Sequence, residues 1–260
     1  AVYSAVRVLS ETLAALPLVV YRRTDRGKER DMAHPLWALL HDRPNRRQTS
    51  FEWRETMVAH TTLRGASYSM IVDRADGVIT ELMPLHPDRV TPFEAPDGAV
   101  AYAYQPKMGA RQILLDSEVL RLPALSGDGI DSVSPITLHR ETVGLAMAAQ
   151  QYGARFYGNS ASPRGAIKLP QVLTSEATQR LREDWEKRHK GPENANRLTI
   201  LDAGMDWVQL GMTNEDAQYL ETRQFSVSEI ARFMRVPPHK IGDLSKATYS
   251  NIEQQNIEFV

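Results

Sequence analysis

Apolar residues at Val2, Val6, Leu9, Leu13 and Leu16 fall four, three, four and three apart, the spacing of one face of an α-helix. Pro17 ends that helix, and Leu18-Val-Val-Tyr21 reads as a strand leading into the charged turn Thr24-Asp-Arg-Gly-Lys28. After His34-Pro35, Leu36-Trp-Ala-Leu-Leu40 predicts a short buried helix that stops before Pro44-Asn45. Thr49-Ser-Phe-Glu52 is a capping box opening a helix to about Leu63, and Gly65 closes it. From there to about residue 125 the period shortens to that of β-structure. Tyr68–Asp73 alternates, Asp76-Gly77 supplies a hairpin turn, and Val78–Leu85 is the partner strand. Asp97-Gly98 marks a second hairpin, between Arg89–Phe93 and Val100–Tyr104, and short strands follow at Ile113–Leu115 and Val119–Leu122. The N-terminal half is thus an α+β unit with antiparallel sheet.

The second half is dominated by two long helices. Ser134-Pro135 is a helix start, with Ser as N-cap and Pro in the first turn. The helix it opens runs to Gly158, roughly 36 Å at about 1.5 Å per residue. One stripe holds Ile136, Val143, Met147 and Ala154; the opposite face holds Leu138, Leu145, Ala149, Tyr152 and Phe156. A helix apolar on two faces is sandwiched, and one face is expected to meet another subunit. A compact insert follows: strand Gly165–Leu169, a helix opened by Thr174-Ser-Glu-Ala with Ala177, Leu181 and Trp185 apolar, then strands Leu198–Leu201 and Trp207–Leu210. A second long helix spans Glu215 to Met234, with Leu220, Val227, Ile230 and Met234 on one side and Phe225 and Phe233 off that stripe. Pro237-Pro238 ends it.

Composition narrows the function classes. The 260 residues carry 31 basic and 32 acidic side chains, a formal net charge of −1 and no cysteine. Without cysteine there is no disulfide framework, thiolate zinc site or cysteine nucleophile. Balanced charge argues against a protein that grips nucleic acid over its whole surface. The longest apolar run, Leu13 to Val20, holds eight residues and is interrupted by Pro17, well short of the roughly 18 needed to span a bilayer. The chain starts without an initiator Met and stops inside a helical pattern, which reads as a core portion of something longer.

Candidate chemistry is sparse. The seven histidines show no metal-ligand spacing, and no nucleophile elbow, Walker loop or calcium loop occurs. Gly127-Asp-Gly-Ile-Asp-Ser132 looks like a phosphate loop, but the third glycine is missing and its side chains are acidic. It reads as a turn delivering the chain to the Ser134 cap; the alternative is a metal-dependent enzyme acting on nucleic acid or nucleotides through Asp128 and Asp131. On the helix at 174–190, Arg180, Arg182, Lys187, Arg188 and Lys190 stand against Glu176, Glu183, Asp184 and Glu186, as a solvated mixed-charge face or a nucleic-acid patch. Glu215, Asp216 and Glu221 early in the last long helix, with Arg223, Arg232 and Arg235 later, complement its dipole.

Nine segments in a fixed order then resemble one family, the HK97-like portal (head–tail connector) proteins of tailed bacteriophages. They are Leu16-Pro-Leu-Val-Val-Tyr21; His34-Pro-Leu36 with Arg43-Pro-Asn45; Leu63-Arg-Gly-Ala-Ser-Tyr68; and Leu82-Met-Pro-Leu-His-Pro-Asp-Arg-Val90. Gly129-Ile-Asp-Ser-Val-Ser-Pro-Ile136 follows, then Phe156-Tyr-Gly-Asn159 with Pro163-Arg-Gly165, and Gln218-Tyr-Leu-Glu-Thr-Arg223. Glu229-Ile-Ala-Arg-Phe-Met-Arg-Val-Pro-Pro238 and Thr248-Tyr-Ser-Asn-Ile-Glu-Gln254 complete the order as its most specific pieces. The chain departs from the family pattern at Ala66, commonly Asn, and at Arg235, commonly Gly.

The resemblance implies an α+β portal-like architecture. Residues 1–133 would be the wing, 134–158 and 214–236 the two stem helices, 159–213 the clip, and 237–260 the tunnel loop with the start of the following helix. It implies a homo-oligomeric ring, usually a dodecamer in virions, at the capsid vertex. The ring conducts double-stranded DNA non-specifically during packaging and ejection, with no cofactor, metal or catalytic residue of its own. Partners implied are the terminase large subunit, major capsid and scaffold proteins, and head-completion or adaptor proteins; locations are the virion and, during assembly, the host cytoplasm. Lys246, Thr248, Tyr249, Ser250 and Asn251 would form the tunnel loop near DNA. Arg180, Arg182, Trp185, Lys187 and Arg188 would face terminase, and Leu138, Leu145, Tyr152, Phe156, Phe225 and Phe233 would pack stem helices between subunits.

Overall fold

A computed structural model describes residues 1–73, 77–158, 165–168, 174–189, 206–209, 214–245, 256, 257 and 259. The chain divides into two compact units, Ala1–Met147 with Arg223–Val260, and Ala148–Thr222. In the first, helix α1 (Val2–Ala15) is followed by a hairpin of β1 (Tyr21–Thr24) and β2 (Gly27–Arg30). The expected strand at Leu18–Tyr21 therefore lies further along, and the charged turn is itself the hairpin. The short helix at 36–40 tightens into a π-helical turn, Ala38–Asp42, closed by Arg43 N–H donating to the Ala38 carbonyl at 2.9 Å. Helix α2 (Ser50–Arg64) begins as expected. Thr49 accepts from Glu52 N–H at 3.3 Å, the Glu52 carboxylate accepts from Thr49 N–H at 2.7 Å, and Gly65 ends the helix at φ 87°. Those bonds hold the Glu52 carboxyl below the usual carboxylate range.

Two three-stranded antiparallel sheets follow. One has the order β4 (Ile79–Leu85), β3 (Ala66–Asp73), β8 (Val119–Pro123); the other runs β5 (Val90–Glu94), β6 (Val100–Tyr104), β7 (Gln112–Leu115). Residues alternate across a strand, and β3 is covered on both faces. Its Tyr68 joins Leu85, Val90, Tyr102, Leu114 and Val119 in the core shared by the two sheets. Ser67 and Ser69 face α2, fully buried, and each has a partner there. The Thr61 hydroxyl donates to Ser67 at 2.8 Å and the Trp53 indole N–H donates to Ser69 at 3.2 Å. That leaves no unsatisfied hydroxyl beneath the helix. Trp53 and Met57 then pack with Leu39 and Leu82 in a second core.

Helix α1 sits against α2 through a face centred on Ala5, Ser10 and Ala14, with Val6 beside them. Small side chains let two helices approach closely, so the larger Leu13 and Leu16 of the expected stripe point outward, 50% and 60% exposed. The third core joins Ala5 and Val6 to Ile230, Met234 and Val236. The helix expected over 134–158 is interrupted. Helix α3 (Pro135–Leu138) ends at His139 (φ −107°, ψ 29°), and α4 (Arg140–Gly158) starts anew. The His139 ring stacks on Phe233 with centroids 4.5 Å apart and planes at 11°, which fixes the side chain at the bend.

Helix α6 (Asn214–Phe233) is closed just beyond its end, at Arg235. Arg235 adopts φ 57°, and Val236 N–H returns to the Ala231 carbonyl at 2.9 Å, the closure of a left-handed helix cap. A Cβ costs about 1–2 kcal/mol in that conformation. Arg235→Gly is therefore expected to stabilise the chain by roughly 1 kcal/mol, after subtracting part of glycine's greater chain entropy. Urea unfolding measures it, and a destabilised variant would show that the arginine side chain outweighs the backbone term.

The second unit holds the remainder of α4, helix α5 (Ser175–His189) and the hairpin of β9 (Gly165–Lys168) with β10 (Asp206–Gln209), followed by the start of α6. Thr174 caps α5, accepting from Ala177 N–H at 3.3 Å. Gly153 of α4 lies directly under the Tyr219 hydroxyl of α6, and Tyr152 and Tyr219 rings approach to 5.4 Å. The expected strand at Leu198–Leu201 lies outside the described residues.

Candidate channel and docking surfaces

The junction between the sheets and α3 is fastened by side-chain and backbone hydrogen bonds. The Ser134 hydroxyl donates to the Leu63 carbonyl at 2.7 Å and accepts from Thr137 N–H at 3.4 Å, tying the end of α2 to the cap of α3. Ala124 N–H donates to the Gly65 carbonyl at 2.7 Å. A Cβ on Gly65 would lie 2.7 Å from Ser134 N and 2.8 Å from the Val133 carbonyl carbon, so the two segments touch backbone to backbone. Arg121 of β8 holds the loop between them, donating to the carbonyls of Gly129 (2.8 Å) and Ile130 and to the Ser132 hydroxyl (2.7 Å).

The acidic loop that resembled a phosphate or metal site is organised from within. One Asp128 carboxylate oxygen accepts from Ile130 N–H at 2.9 Å and Asp131 N–H at 2.8 Å, and the Ser126 hydroxyl lies at 3.3 Å. These backbone donors hold the Asp128 carboxyl below the usual carboxylate range. Among the described residues no three His, Cys, Asp or Glu side chains gather as a metal cluster. The loop serves as a turn into Ser134.

Beside it lies a cleft of about 310 Å³ lined by Arg64, Tyr68, Asp88, Asp131, Ser134 and Thr137, among others. Arg64 pairs with Asp88 at 2.9 Å on its rim. Behind them, burial first and the neighbouring His86 second push the His60 imidazole below its ordinary pKa.

The expected site residues are distributed as follows. Leu138, Leu145, Tyr152 and Phe225 are exposed along α3, α4 and α6, whereas Phe233 is half-buried in the core with α1. Arg180 is exposed on α5. The side chains of Phe156, Arg182, Trp185, Lys187 and Arg188, and all of Lys246, Thr248, Tyr249, Ser250 and Asn251, lie outside the described residues. Sequence reading missed the Arg121 clamp. An arginine in an alternating strand gives no sign that its fork grips the carbonyls of a loop eight and nine residues later.

Among the described residues no helix is long and apolar enough to cross a membrane. A family model described as phage portal protein matches residues 1–260. A probable portal protein of Streptomyces phage phiC31 is 34% identical over 274 residues, covering 100% of this chain and 59% of the relative. The portal protein of Enterobacteria phage HK97 is 32% identical over 264 residues, covering 100% and 62%. The chain thus spans about three fifths of the length of these curated relatives. The neck of an empty gene transfer agent particle, computed with C6 symmetry, superposes with a TM-score of 0.73 at 28% identity, covering 97% of this chain and 70% of that one. An HK97-family portal protein of Corynebacterium diphtheriae matches with a TM-score of 0.62 at 18% identity, over 97% and 79% of the chains, and shows the fold alone. With its mixed helices and antiparallel sheets arranged in this α+β portal fold, the chain belongs to the phage portal protein family.

Proposed function

We propose that this chain is the wing, stem and clip of a ring-forming portal, the channel at a capsid vertex through which DNA is packaged and ejected. The observation that carries the reading is the family match along residues 1–260, which takes in both long helices. Large side chains left exposed on both helices, including Leu138, Leu145, Met147 and Phe225, support it, because apolar surface of this kind suits burial against neighbouring subunits. Structural relatives described as necks computed with C6 and C12 symmetry support a ring, and twelve subunits is the count we propose.

On this reading residues 1–133 are the wing, 134–158 and 214–236 the stem, and 159–213 the clip that meets the terminase large subunit and later the head-completion proteins. Major capsid and scaffold proteins surround the wing. The protein works in the virion after assembly in the host cytoplasm, without catalysis of its own; ATP hydrolysis belongs to terminase. The polar segment Thr248, Tyr249, Ser250 and Asn251, with Lys246 the nearest cation, is the tunnel loop. A sliding polymer needs such a lining, since phosphate affinity rises steeply with each charge neutralised.

Native mass spectrometry and negative-stain microscopy of the full-length protein test the reading, with a ring around a central hole expected. Binding of duplex DNA is expected to be weak and salt-sensitive. A stable monomer, or nanomolar sequence-specific binding at physiological salt, would overturn it.

A further inference from the structure

The β1–β2 hairpin is charged asymmetrically. Directly opposed residues of an antiparallel pair share a face, so Tyr21/Arg30 and Arg23/Lys28 lie on one side, and Arg22/Glu29 and Thr24/Gly27 on the other. The Lys28 ammonium sits 5.0 Å over the Tyr21 ring, diagonally across the ladder, which confirms that these two side chains share that face. The opposite face is neutralised within the protein: Arg22 faces Glu29 and donates to the Asp31 carboxylate at 2.7 and 3.0 Å. Among the described residues, Arg23, Lys28 and Arg30 have no acidic partner, and Arg26 stands at the tip.

This arrangement works against the hairpin's own stability. All but one of its eight strand residues are exposed, and a two-stranded ribbon without a core is marginal. Placing Arg23 directly opposite Lys28 weakens it further. Charged side chains, lysine above all, also guard strand edges against aggregation, but that role gains nothing from like-sign opposition across the ladder. A face that is uniformly cationic, with an aromatic ring beneath, is complementary to a polyanion. Same-face residues along a strand stand about 6.6 Å apart, so the cations form a short row and not a point.

We propose that this face of the hairpin binds the sugar–phosphate backbone of duplex DNA, without reading sequence. The choice of DNA as polyanion rests on the portal reading above. Three phosphates neutralised by one hairpin is a weak, salt-sensitive contact, and each further hairpin that reaches the same duplex adds to it.

Equilibrium binding of the full-length protein to a random-sequence duplex across a salt titration tests it. With Arg23, Lys28 and Arg30 all changed to Gln, the slope of log K against log salt is expected to flatten by about 2.7 for each hairpin that touches the duplex, at about 0.9 per phosphate contact. The control variant Arg47→Gln, Lys107→Gln, Arg111→Gln removes the same formal charge from other exposed positions and is expected to keep the parent slope. Arg23→Lys with Arg30→Lys is expected to keep it too, since the contact is to phosphate charge, and it separates lost binding from a misfolded ribbon. An unchanged slope in the Gln variant, or equal flattening in the control, overturns the proposal; the first outcome would point to an acidic protein surface as the partner. Ring formation, read on the same samples by microscopy, reports on the portal reading separately.

Discussion

Gly65→Ala is expected to destabilise the first unit by about 3 kcal/mol. Two effects add at this position. The backbone at φ 87° lies in the left-handed region, where a Cβ costs about 1–2 kcal/mol. That Cβ would also lie 2.7–2.9 Å from Ser134 N, the Val133 carbonyl carbon and the Ser132 carbonyl oxygen. All three are main-chain atoms fixed by the Arg121 clamp and the Ser134 cap, so relief requires moving the loop, an overpacking cost of about 1–3 kcal/mol. In thermal unfolding the loss corresponds to a midpoint lowered by roughly 6–12 °C for a unit of this size. Gly98 supplies the comparison. Its φ is 83°, but the nearest atom to its Cβ position is the Glu94 carboxylate at 3.8 Å, so Gly98→Ala should cost only the backbone share, about 1 kcal/mol. Equal losses in the two variants would show that the junction is not closely packed.

The elements that were legible in the sequence are those decided locally. Thr49 and Glu52 carry their helix start within four residues, and Asp97-Gly98 carries its hairpin. There Gly98 supplies φ 83° and the Asp97 carboxylate accepts from Ala99 N–H at 3.0 Å. What could not be read locally depends on partners distant along the chain. The buried face of α1 is set by how closely α2 approaches, which favours Ala5 and Ala14 over the larger Leu13 and Leu16. The break comes at His139, whose ring stacks on Phe233, ninety-four residues later in sequence. Ser69 looks like a solvent-facing position of an alternating strand until Trp53 is placed above it. The likeness at Glu229–Pro238 belongs to the first kind: the position where glycine is common is the one with a left-handed backbone, so a motif read as a family mark is also a local cap. The docking and tunnel segments carry little such local punctuation, which is why their assignment came from resemblance and not from pattern.

Tyr102→Ala is expected to cost about 4 kcal/mol, the range for emptying a large aromatic site. Tyr102 is 1% exposed at the centre of the core between the two sheets, with its ring edge-on to Tyr68 at 5.7 Å. Loss of the ring removes contacts to both sheets at once, and neither can collapse into the space without breaking its pairing. The hydroxyl makes a separable contribution, donating to the Asp116 carboxylate at 2.9 Å. Tyr102→Phe keeps the packing and removes that charge-assisted bond, for a loss of about 1.5 kcal/mol. A pH titration of stability isolates the bond. Burial first, and then the bond and charge of Asp116, push the Tyr102 phenol up to about 12. In the unfolded chain it titrates near its ordinary value of about 10. Below that value both states hold the proton and the contribution is complete. Between about 10 and about 12 the unfolded state releases it while the folded state keeps it, so stability falls as pH rises through this window. Urea midpoints measured from neutral pH to pH 11 should decline for the parent protein and decline less for Tyr102→Phe. Parallel declines would show that another group carries the alkaline loss and that the Asp116 bond is not holding the proton.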